Sequence, residues 1–311
     1  SAGSEELDRP ARHPHHDEAS LGPDLSNNPH ILLLEANPAV NCDRAVSFGA
    51  VAAGERYAIS LRSACPEIQI TKAYGADLDK VLPSGVELAA YDGVVIGGSG
   101  LHAYHSDENV TRQIEFARSA FEAGVPILGS CWGLQISVLA AGGVVRPSPF
   151  GREVGIGRKI TLTPEGSGHP LFAGKSSVFD SPCIHLDEVT HVPSGGTVLA
   201  TNRHTRIQAL SFQHCGTDFW GVQYHPEFNL FHLSRLNTMY GEMMVEGGYH
   251  QDLDAVTRHS GEMETLAADH TRSDLAWKLG LDQDVLSDEI RTLEIRNWIE
   301  LKVMARKAAR A

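Results

Sequence analysis

The stretch PILGSCWGLQ, residues 126–135, places a cysteine between two glycines, where an apolar run gives way to a helical pattern. Residues 127–128 are predicted as a strand, and 132–141 as a helix. Pro126 opens the strand, a position that tolerates proline. Cys131 is therefore either a buried packing residue or a reactive thiol held at a sharp turn.

Short apolar runs with strand character alternate with longer helical patterns from residue 30 onwards. The predicted strands include 31–34, 68–71, 94–96, 127–128, 160–162, 198–200, 207–212 and 219–223. The predicted helices cover 44–64, 107–123 and 132–141. Strands separated by helices are typical of an α/β fold with a parallel sheet. The later runs, from 158 to 223, follow one another closely, so we expect added antiparallel strands there.

Residues 1–29 are polar and contain four prolines, which predicts a disordered tail. His13, His15 and His16 lie in this tail. We interpret them as solvated side chains, with metal binding as the alternative.

Residues 231–311 predict helices and no clear strand. Their last part, residues 287–311, predicts one long helix with Ser287 as its N-cap. One side of this helix is broadly apolar and must be buried against something. Packing on the same chain is one interpretation. The other is a surface for a partner, or for a homodimer through the C-terminal helices.

Composition excludes several classes of protein. The 311 residues are 42% hydrophobic and 21% charged, and the net charge is −13, which argues against a nucleic-acid partner. No apolar run approaches the ~20 residues of a membrane span, and the N-terminus lacks the order of a signal peptide, so we expect a cytoplasmic protein without a membrane partner. An odd number of cysteines without a CxxC pattern predicts reduced thiols and no metal site: Cys42, Cys65, Cys131, Cys183 and Cys215.

The segment GSCWG, residues 129–133, has the pattern G-x-C-x-G between a strand and a helix. Glycines on both sides permit a sharp turn that would expose Cys131 at the end of the sheet as a nucleophile. The N-terminus of a helix favours a thiolate and offers free backbone N–H groups to an oxyanion. Trp132 is the first expected donor, and Gly98 in GGSG, residues 97–100, is the second.

The segment GVQYHPEF, residues 221–228, contains the candidate base. A strand is expected to end at His225. In extended backbone, His225 and Glu227 project to the same side, so the carboxylate can orient the imidazole. Alone, His225 would be interpreted as a structural residue, but together with the cysteine at the turn it predicts a catalytic role.

Three segments, GSCWGLQ, GREVGIG (151–157) and GVQYHPEF, together resemble the class I, or triad, glutamine amidotransferases, and in particular the glutaminase domain of GMP synthetase. The resemblance covers residues 30–230 and leaves 231–311 as a helical C-terminal extension. It implies a doubly wound, flavodoxin-like, mostly parallel sheet.

The resemblance also implies roles for individual residues. Cys131, His225 and Glu227 match the catalytic triad of the family, and the backbone N–H groups of Gly98 and Trp132 match its oxyanion donors.

Gln135 matches a family residue that helps to hold the substrate glutamine. Arg152 and Glu153 fit a family motif, R-E-x-G, whose implied role is positioning and packing near the site. His185 and Asp187 lie in a segment similar to Ser-His-Gly-Asp. For this pair, a loop role and a substrate-side or partner-side role both stay open.

The implied reaction is attack of the cysteine thiolate on the γ-carboxamide of glutamine, followed by hydrolysis of a thioester, with no metal or organic cofactor. Relatives pass the ammonia to a synthetase, but residues 229–311 are too short and too helical to be one. Our first hypothesis is a glutaminase that serves a separate synthetase subunit. The second is a hydrolase of another γ-glutamyl amide, acting without a partner. The third is a non-catalytic regulatory protein on this fold.

Overall fold

The structure, a computed structural model, describes residues 28–77, 81–82 and 84–310. The predicted tail up to residue 27, with its three histidines, lies outside the described residues. The described chain has the predicted α/β fold.

Eleven strands lie in the described residues: β1 His30–Glu35, β2 Gln69–Tyr74, β3 Gly93–Ile96, β4 Ile127–Ser130, β5 Val144–Pro147, β6 Glu153–Leu162, β7 Val178–His185, β8 Asp187–His191, β9 Thr197–Thr201, β10 Ala209–His214 and β11 Thr217–Val222. Nine form one sheet in the order β2-β1-β3-β4-β11-β10-β9-β6-β7, and β5 pairs with β8. The pairs from β2 to β11 are parallel and those from β11 to β7 are antiparallel. The predicted mixture is confirmed, although β5, β7 and β8 have no counterpart among the predicted strands.

The helices are α1 Ala39–Ser47, α2 Ala53–Ala64, α3 Glu108–Glu122, α4 Trp132–Ala140, α5 Pro164–Ser167, α6 Leu230–Met239, α7 Gly241–Glu246, α8 Leu253–Ala268, α9 Ser273–Leu279, α10 Gln283–Leu286, α11 Asp288–Arg291, α12 Leu293–Trp298 and α13 Met304–Arg310. Two 3₁₀ turns lie at Leu88–Ala90 and Pro170–Phe172. A π-helical turn, Ile299–Val303, joins α12 to α13.

Two helix predictions are wrong in extent. The single helix predicted over 44–64 is two helices, because α1 ends at Ser47 and Gly49, at φ +82°, turns the chain before α2. The long helix predicted over 287–311 is interrupted at Thr292, whose ψ of +16° is not helical. Its predicted start is confirmed, since the Ser287 hydroxyl accepts a hydrogen bond from the Ile290 N–H at 3.4 Å.

The central strands are buried on both faces by helices. Along β1, Leu32 and Leu34 enter an apolar cluster with α3 and α4, whereas Ile31 and Leu33 enter a second cluster with α2. A strand that is covered on both sides needs no polar face, which explains the continuous apolar run ILLL.

The last helices join the second of these clusters. Ile295, Trp298, Ile299 and Val303 are each at most 3% exposed and pack on the same face of the sheet as α2. Most of the apolar side of the predicted C-terminal helix is therefore buried within the chain, although Ile290 is exposed. The homodimer, and the domain boundary at residue 230, stay predictions.

No helix among the described residues is both long and apolar enough to cross a membrane.

The parallel strands bring several loops to one edge of the sheet. β3 ends before Gly97, β4 ends before Cys131, and β11 ends shortly before His225. In open α/β sheets, ligands bind at the carboxyl ends of the strands.

Because α4 lies very close to the end of β3, we expect that adding one methyl group at Gly133 destabilises the fold strongly. A Cβ at Gly133 would lie 2.0 Å from the Ile96 carbonyl oxygen, so Gly133→Ala should lower the free energy of unfolding by about 3 kcal/mol in urea titrations. Gly261, exposed within α8, has open space around it, so Gly261→Ala should raise that free energy by about 0.5–1 kcal/mol. Equal changes in the free energy of unfolding for the two variants would contradict a close contact between Gly133 and Ile96.

Candidate active site

Cys131 lies at a strained turn between β4 and α4. Its φ of +54° and ψ of −102° belong to a region that non-glycine residues rarely adopt. The Cys131 N–H donates to the Val222 carbonyl at 2.8 Å, and the Gly133 N–H donates to the Gly97 carbonyl at 3.1 Å. Such strain costs about 1–3 kcal/mol and persists only where the surroundings enforce it. The predicted strand–turn–helix geometry is confirmed.

His225 and Glu227 are in direct contact. The His225 Nδ1 lies 2.7 Å from the Glu227 Oε1, and both side chains are nearly fully buried. The predicted extended backbone is wrong, however. β11 ends at Val222, and the Phe228 N–H donates to the His225 carbonyl at 3.2 Å, which closes a turn. Pro226 favours this turn, and the turn rather than the strand brings the two side chains together.

Two residues confine the His225 ring. Phe228 stacks on it with ring centroids 4.0 Å apart and planes 2° apart. Gly98 lies so close to the ring that a Cβ there would be 2.6 Å from the His225 Cε1. Only glycine fits at position 98 without moving the imidazole.

The surroundings of His225 favour its protonated form. Burial on its own lowers the pKa of His225, but the Glu227 carboxylate and hydrogen bonds with Cys131 and Glu227 outweigh burial and raise that pKa from 6.5 to about 10. For the neighbouring His232, the surroundings favour the neutral form. Burial and the positive charges of Arg56 and His225 lower the pKa of His232 to about 3. One histidine at the site is thus charged and the next is neutral.

The expected oxyanion donors are present in the geometry. Trp132 is the first residue of α4, and its backbone N–H donates to no acceptor within the described residues. The same holds for the Gly98 N–H in the described part of the chain. The Trp132 indole is fully buried and donates to the Gln113 Oε1 at 3.0 Å.

A pocket of about 270 Å³ opens at Cys131 and His225. Five further predicted residues line it: Gly98, Gln135, Arg152, His185 and Asp187. The Arg152 guanidinium has no ion-pair partner in the described residues. The structure therefore brings most of the sequence-predicted residues to one cavity.

Asp187 is held from several sides. Its backbone carbonyl accepts hydrogen bonds from the Gln135 Nε2 at 2.9 Å and the His185 Nδ1 at 3.0 Å. Its Oδ2 lies 2.8 Å from the His102 Nδ1. Its Oδ1 is buried and has no hydrogen-bond partner among the described residues. A buried carboxylate oxygen without a partner is costly, so a hydrogen-bond donor that reached this atom would be favoured.

Glu153 does not line the pocket but supports it from behind. Its Oε2 accepts from the His185 Nε2 at 3.0 Å and from the Gln208 Nε2 at 2.7 Å. Burial raises the pKa of Glu153, but the hydrogen bond and charge of His185 outweigh this, and the net pKa is lowered.

The sequence did not indicate the remaining wall of the pocket. This wall consists of side chains from α1, α6 and the residues that follow them: Asn41, Arg44, Ala45, Leu236, Met239, Tyr240 and Met243. These residues lie far from the triad in sequence and belong to no motif. Phe228 was within reach of sequence analysis, since an aromatic residue directly after His-Pro-Glu is placed to stack on the histidine.

Comparison with known proteins connects this site to a family. The model of the family "glutamine amidotransferase class-I" matches residues 67–233. A γ-glutamyl-L-1-hydroxyisopropylamide hydrolase from Pseudomonas sp. is 35% identical over 276 residues, which is 87% of this chain and 92% of the relative. The chain belongs to the class I glutamine amidotransferase family. As a member of that family, it is an enzyme of the cysteine-type amide hydrolase class.

Two further relatives of this amidotransferase-family chain are informative. A glutamine-hydrolysing GMP synthase subunit from Saccharolobus solfataricus is 33% identical over 158 residues, which is 50% of this chain and 79% of the relative. The solved structure of a glutamine amidotransferase from Methylobacillus flagellatus has a TM-score of 0.54 and 18% identity, covering 91% of this chain and 94% of that one. The latter likeness concerns the fold alone.

The protonation of His225 predicts how stability depends on pH. Because its folded-state pKa of about 10 lies above 6.5, its stabilising contribution is complete below pH 6.5 and is lost as pH rises to about 10. The difference in unfolding free energy between wild type and His225→Gln should shrink, by up to a few kcal/mol, over this range in urea titrations.

His232→Gln is the matched control. Since the folded state keeps His232 neutral, protonation of the unfolded chain destabilises the wild type as pH falls from 6.5 towards 3. This variant should remove part of the acid-side loss of stability and leave the alkaline side unchanged. A His225→Gln difference that stays constant from pH 6.5 to 10 would refute the assigned charge.

Proposed function

We propose that the chain hydrolyses γ-glutamyl amides of small alkylamines, with Cys131 as the nucleophile, and acts without a synthetase. The observation that carries this proposal is the wall next to His225. Ala45, Phe228, Leu236 and Met239 are buried there and form one apolar cluster. A carbon substituent on the leaving nitrogen would pack on these side chains, whereas ammonia would leave them without a ligand.

The far end of this wall is polar. The side chains of Asn41 and Tyr240 both lie next to Gly100 and line the pocket. They would hydrogen-bond a hydroxyl at the tip of the alkylamine. The Pseudomonas relative supports this choice, because its name specifies a hydroxylated isopropylamide and its alignment extends over 92% of its length.

The other end of the pocket suits an amino-acid head group. The unpartnered Oδ1 of Asp187 would accept a hydrogen bond from the α-ammonium of the glutamyl group. The Arg152 guanidinium, in the same pocket, would pair with the α-carboxylate. Gln135 and His185 act on the substrate indirectly, since they hold the backbone of Asp187.

The proposed reaction has two halves. The Cys131 thiolate attacks the γ-carbonyl carbon, and the backbone N–H groups of Gly98 and Trp132 stabilise the oxyanion. The C–N bond then breaks as His225, protonated by virtue of Glu227, gives its proton to the departing amine. In the second half, His225 takes a proton from water, which attacks the thioester. The thiolate leaves, and glutamate is released.

A panel of substrates tests the proposed function. Purified chain is assayed without partner or ATP on glutamine, γ-glutamyl-ethylamide, γ-glutamyl-isopropylamide and its hydroxylated analogue, with Cys131→Ala as the blank. We expect kcat/KM for the branched amides to exceed that for glutamine by about 10- to 100-fold, as burial of one to three carbons allows. Cys131→Ala should lose at least ~10³-fold while staying folded.

A preference for glutamine would favour the hypothesis of a glutaminase that serves a separate synthetase subunit. If glutamine is the best substrate, and all turnover is slow until a synthetase is added, the chain is a glutaminase that serves such a partner. The similarity to the Saccharolobus GMP synthase subunit is the observation that keeps this alternative in view. Undiminished turnover by Cys131→Ala would refute the nucleophile itself.

Asp187→Asn tests the head-group contact. The change keeps the shape but removes the charge, so KM for γ-glutamyl substrates should rise about 10- to 100-fold with kcat within a few-fold. Turnover of glutaric acid monoamide, which lacks the α-ammonium, should not respond. The neighbouring Glu188→Gln is the matched control, because Glu188 does not line the pocket. An equal KM effect on both substrates would contradict the contact.

A further inference from the structure

We infer that the C-terminal segment positions the catalytic histidine, through Arg291 and Glu294. This inference rests on the assignment of His225 as the base in the proposed function. Both residues lie outside residues 67–233, the part of the chain that the family model matches. They act on the two residues that flank His225 in sequence, and neither lines the pocket.

Arg291 is held at the turn after His225. Arg291 is only 1% exposed, and an arginine is almost never fully buried unless its charge is paired. The Nε donates to the Pro226 carbonyl at 3.2 Å, and an Nη donates to the Val285 carbonyl at 2.9 Å. The second Nη forms an ion pair with Asp288. The rigid guanidinium thus fixes the Pro226 peptide relative to α10 and α11.

Glu294 is held at the residue before His225. It is completely buried, and its Oε1 accepts from the Tyr224 hydroxyl at 2.6 Å. Its Oε2 accepts from the Lys175 Nζ at 2.8 Å. Burial lowers the pKa of Lys175, although the Glu294 carboxylate opposes this shift. The pair anchors the Tyr224 ring to the C-terminal segment.

Both contacts act on a short stretch of backbone. The His225 N–H donates to the Pro182 carbonyl at 2.8 Å, so the chain is held at His225 itself and at the residues on both sides of it. His225 in turn has to keep one nitrogen on Glu227 and the other towards Cys131. A displacement of about 1 Å in such an arrangement is enough to lower a rate by ~10²-fold. Arg291 and Glu294, which follow the family domain, thus restrain His225 from both sides, and we refer to these two contacts as the clamp.

The chain offers a matched control on the same segment. The guanidinium of Arg306 also donates to backbone carbonyls, those of Tyr91 at 3.0 Å and Gly124 at 2.7 Å. These carbonyls precede β3 and β4, at the end of the sheet away from the pocket. Arg291→Lys and Arg306→Lys each remove a guanidinium that donates to backbone carbonyls. Only Arg291 donates to a residue next to His225.

The experiment compares these two variants in the full chain. We measure kcat and KM with the best substrate of the panel, the melting temperature, and the pH dependence of iodoacetamide alkylation at Cys131. We expect Arg291→Lys to lower kcat about 10- to 100-fold with KM within about twofold, and to shift the alkylation profile, because the imidazole moves away from the thiol. Arg306→Lys should lower the melting temperature but leave kcat and the alkylation profile unchanged.

The inference is overturned if both arginine variants lose stability while kcat and the alkylation profile of Arg291→Lys match those of wild type. Alkylation needs no substrate, so this readout still decides if the substrate assignment fails. If wild type shows no pH-dependent alkylation at Cys131, the proposed active site fails first.

Tyr224→Phe covers the case in which Arg291→Lys does not fold. It removes one hydroxyl and keeps the ring, and we expect kcat to fall several-fold with a shifted alkylation profile. In the double variant with Glu294→Gln, the two losses should be less than additive, because both changes remove the same contact. Wild-type kcat in Tyr224→Phe, or fully additive losses, would argue against the clamp.

Discussion

The close approach of α4 to the end of β3 is the constraint on which the site depends. Gly133 touches the Ile96 carbonyl and donates to Gly97, which leaves no room for any other residue at this point. The start of α4 is thereby fixed, and the chain can join it to β4 only through the strained backbone of Cys131. The same contact sets Gly98 beside Cys131 and His225. This packing contact therefore brings the thiol and the two oxyanion donors together, and other contacts place the imidazole beside them.

Buried pairs of acidic and basic side chains also constrain the site. His225 with Glu227, His185 with Glu153 and Lys175 with Glu294 are all largely removed from water. Such pairs add little net stability, because desolvation offsets the attraction, but the loss of one partner costs about 3–5 kcal/mol. Their geometry is therefore tightly constrained. The first two pairs include the pocket residues His225 and His185, and the third contacts Tyr224, the residue before His225, so these buried pairs constrain the geometry of the site.

The residues after 233 take part in the site in two ways. α6 supplies Leu236 and Met239 to the apolar wall on which the proposed specificity for alkylamides rests. α11 and α12 contact the residues next to His225. The family region by itself would leave the base without these contacts and the pocket open on this side. A hydrolase that binds an amine larger than ammonia benefits from an apolar wall at this position.

Short-range patterns in the sequence were sufficient to predict the α/β fold and the turn at Cys131. Together with the family resemblance, they also identified seven of the residues that line the pocket. These features are local: glycine spacing sets the turn, and alternating apolar runs set the sheet. The same patterns placed Ser287 at a helix start, where a single side chain satisfies the backbone. Each depends on residues a few positions apart, which a linear pattern records.

The remaining features emerge only when the chain is folded. The apolar wall from α1 and α6, the surroundings of the Asp187 carboxylate and the contacts of Arg291 with the Pro226 turn all depend on residues distant in sequence. Nothing in a linear pattern distinguishes a buried arginine or glutamate from an exposed one, because the side chain is stabilised by partners that folding brings to it. Burial and pairing are properties of the folded chain, and they decide which charged residues serve the site.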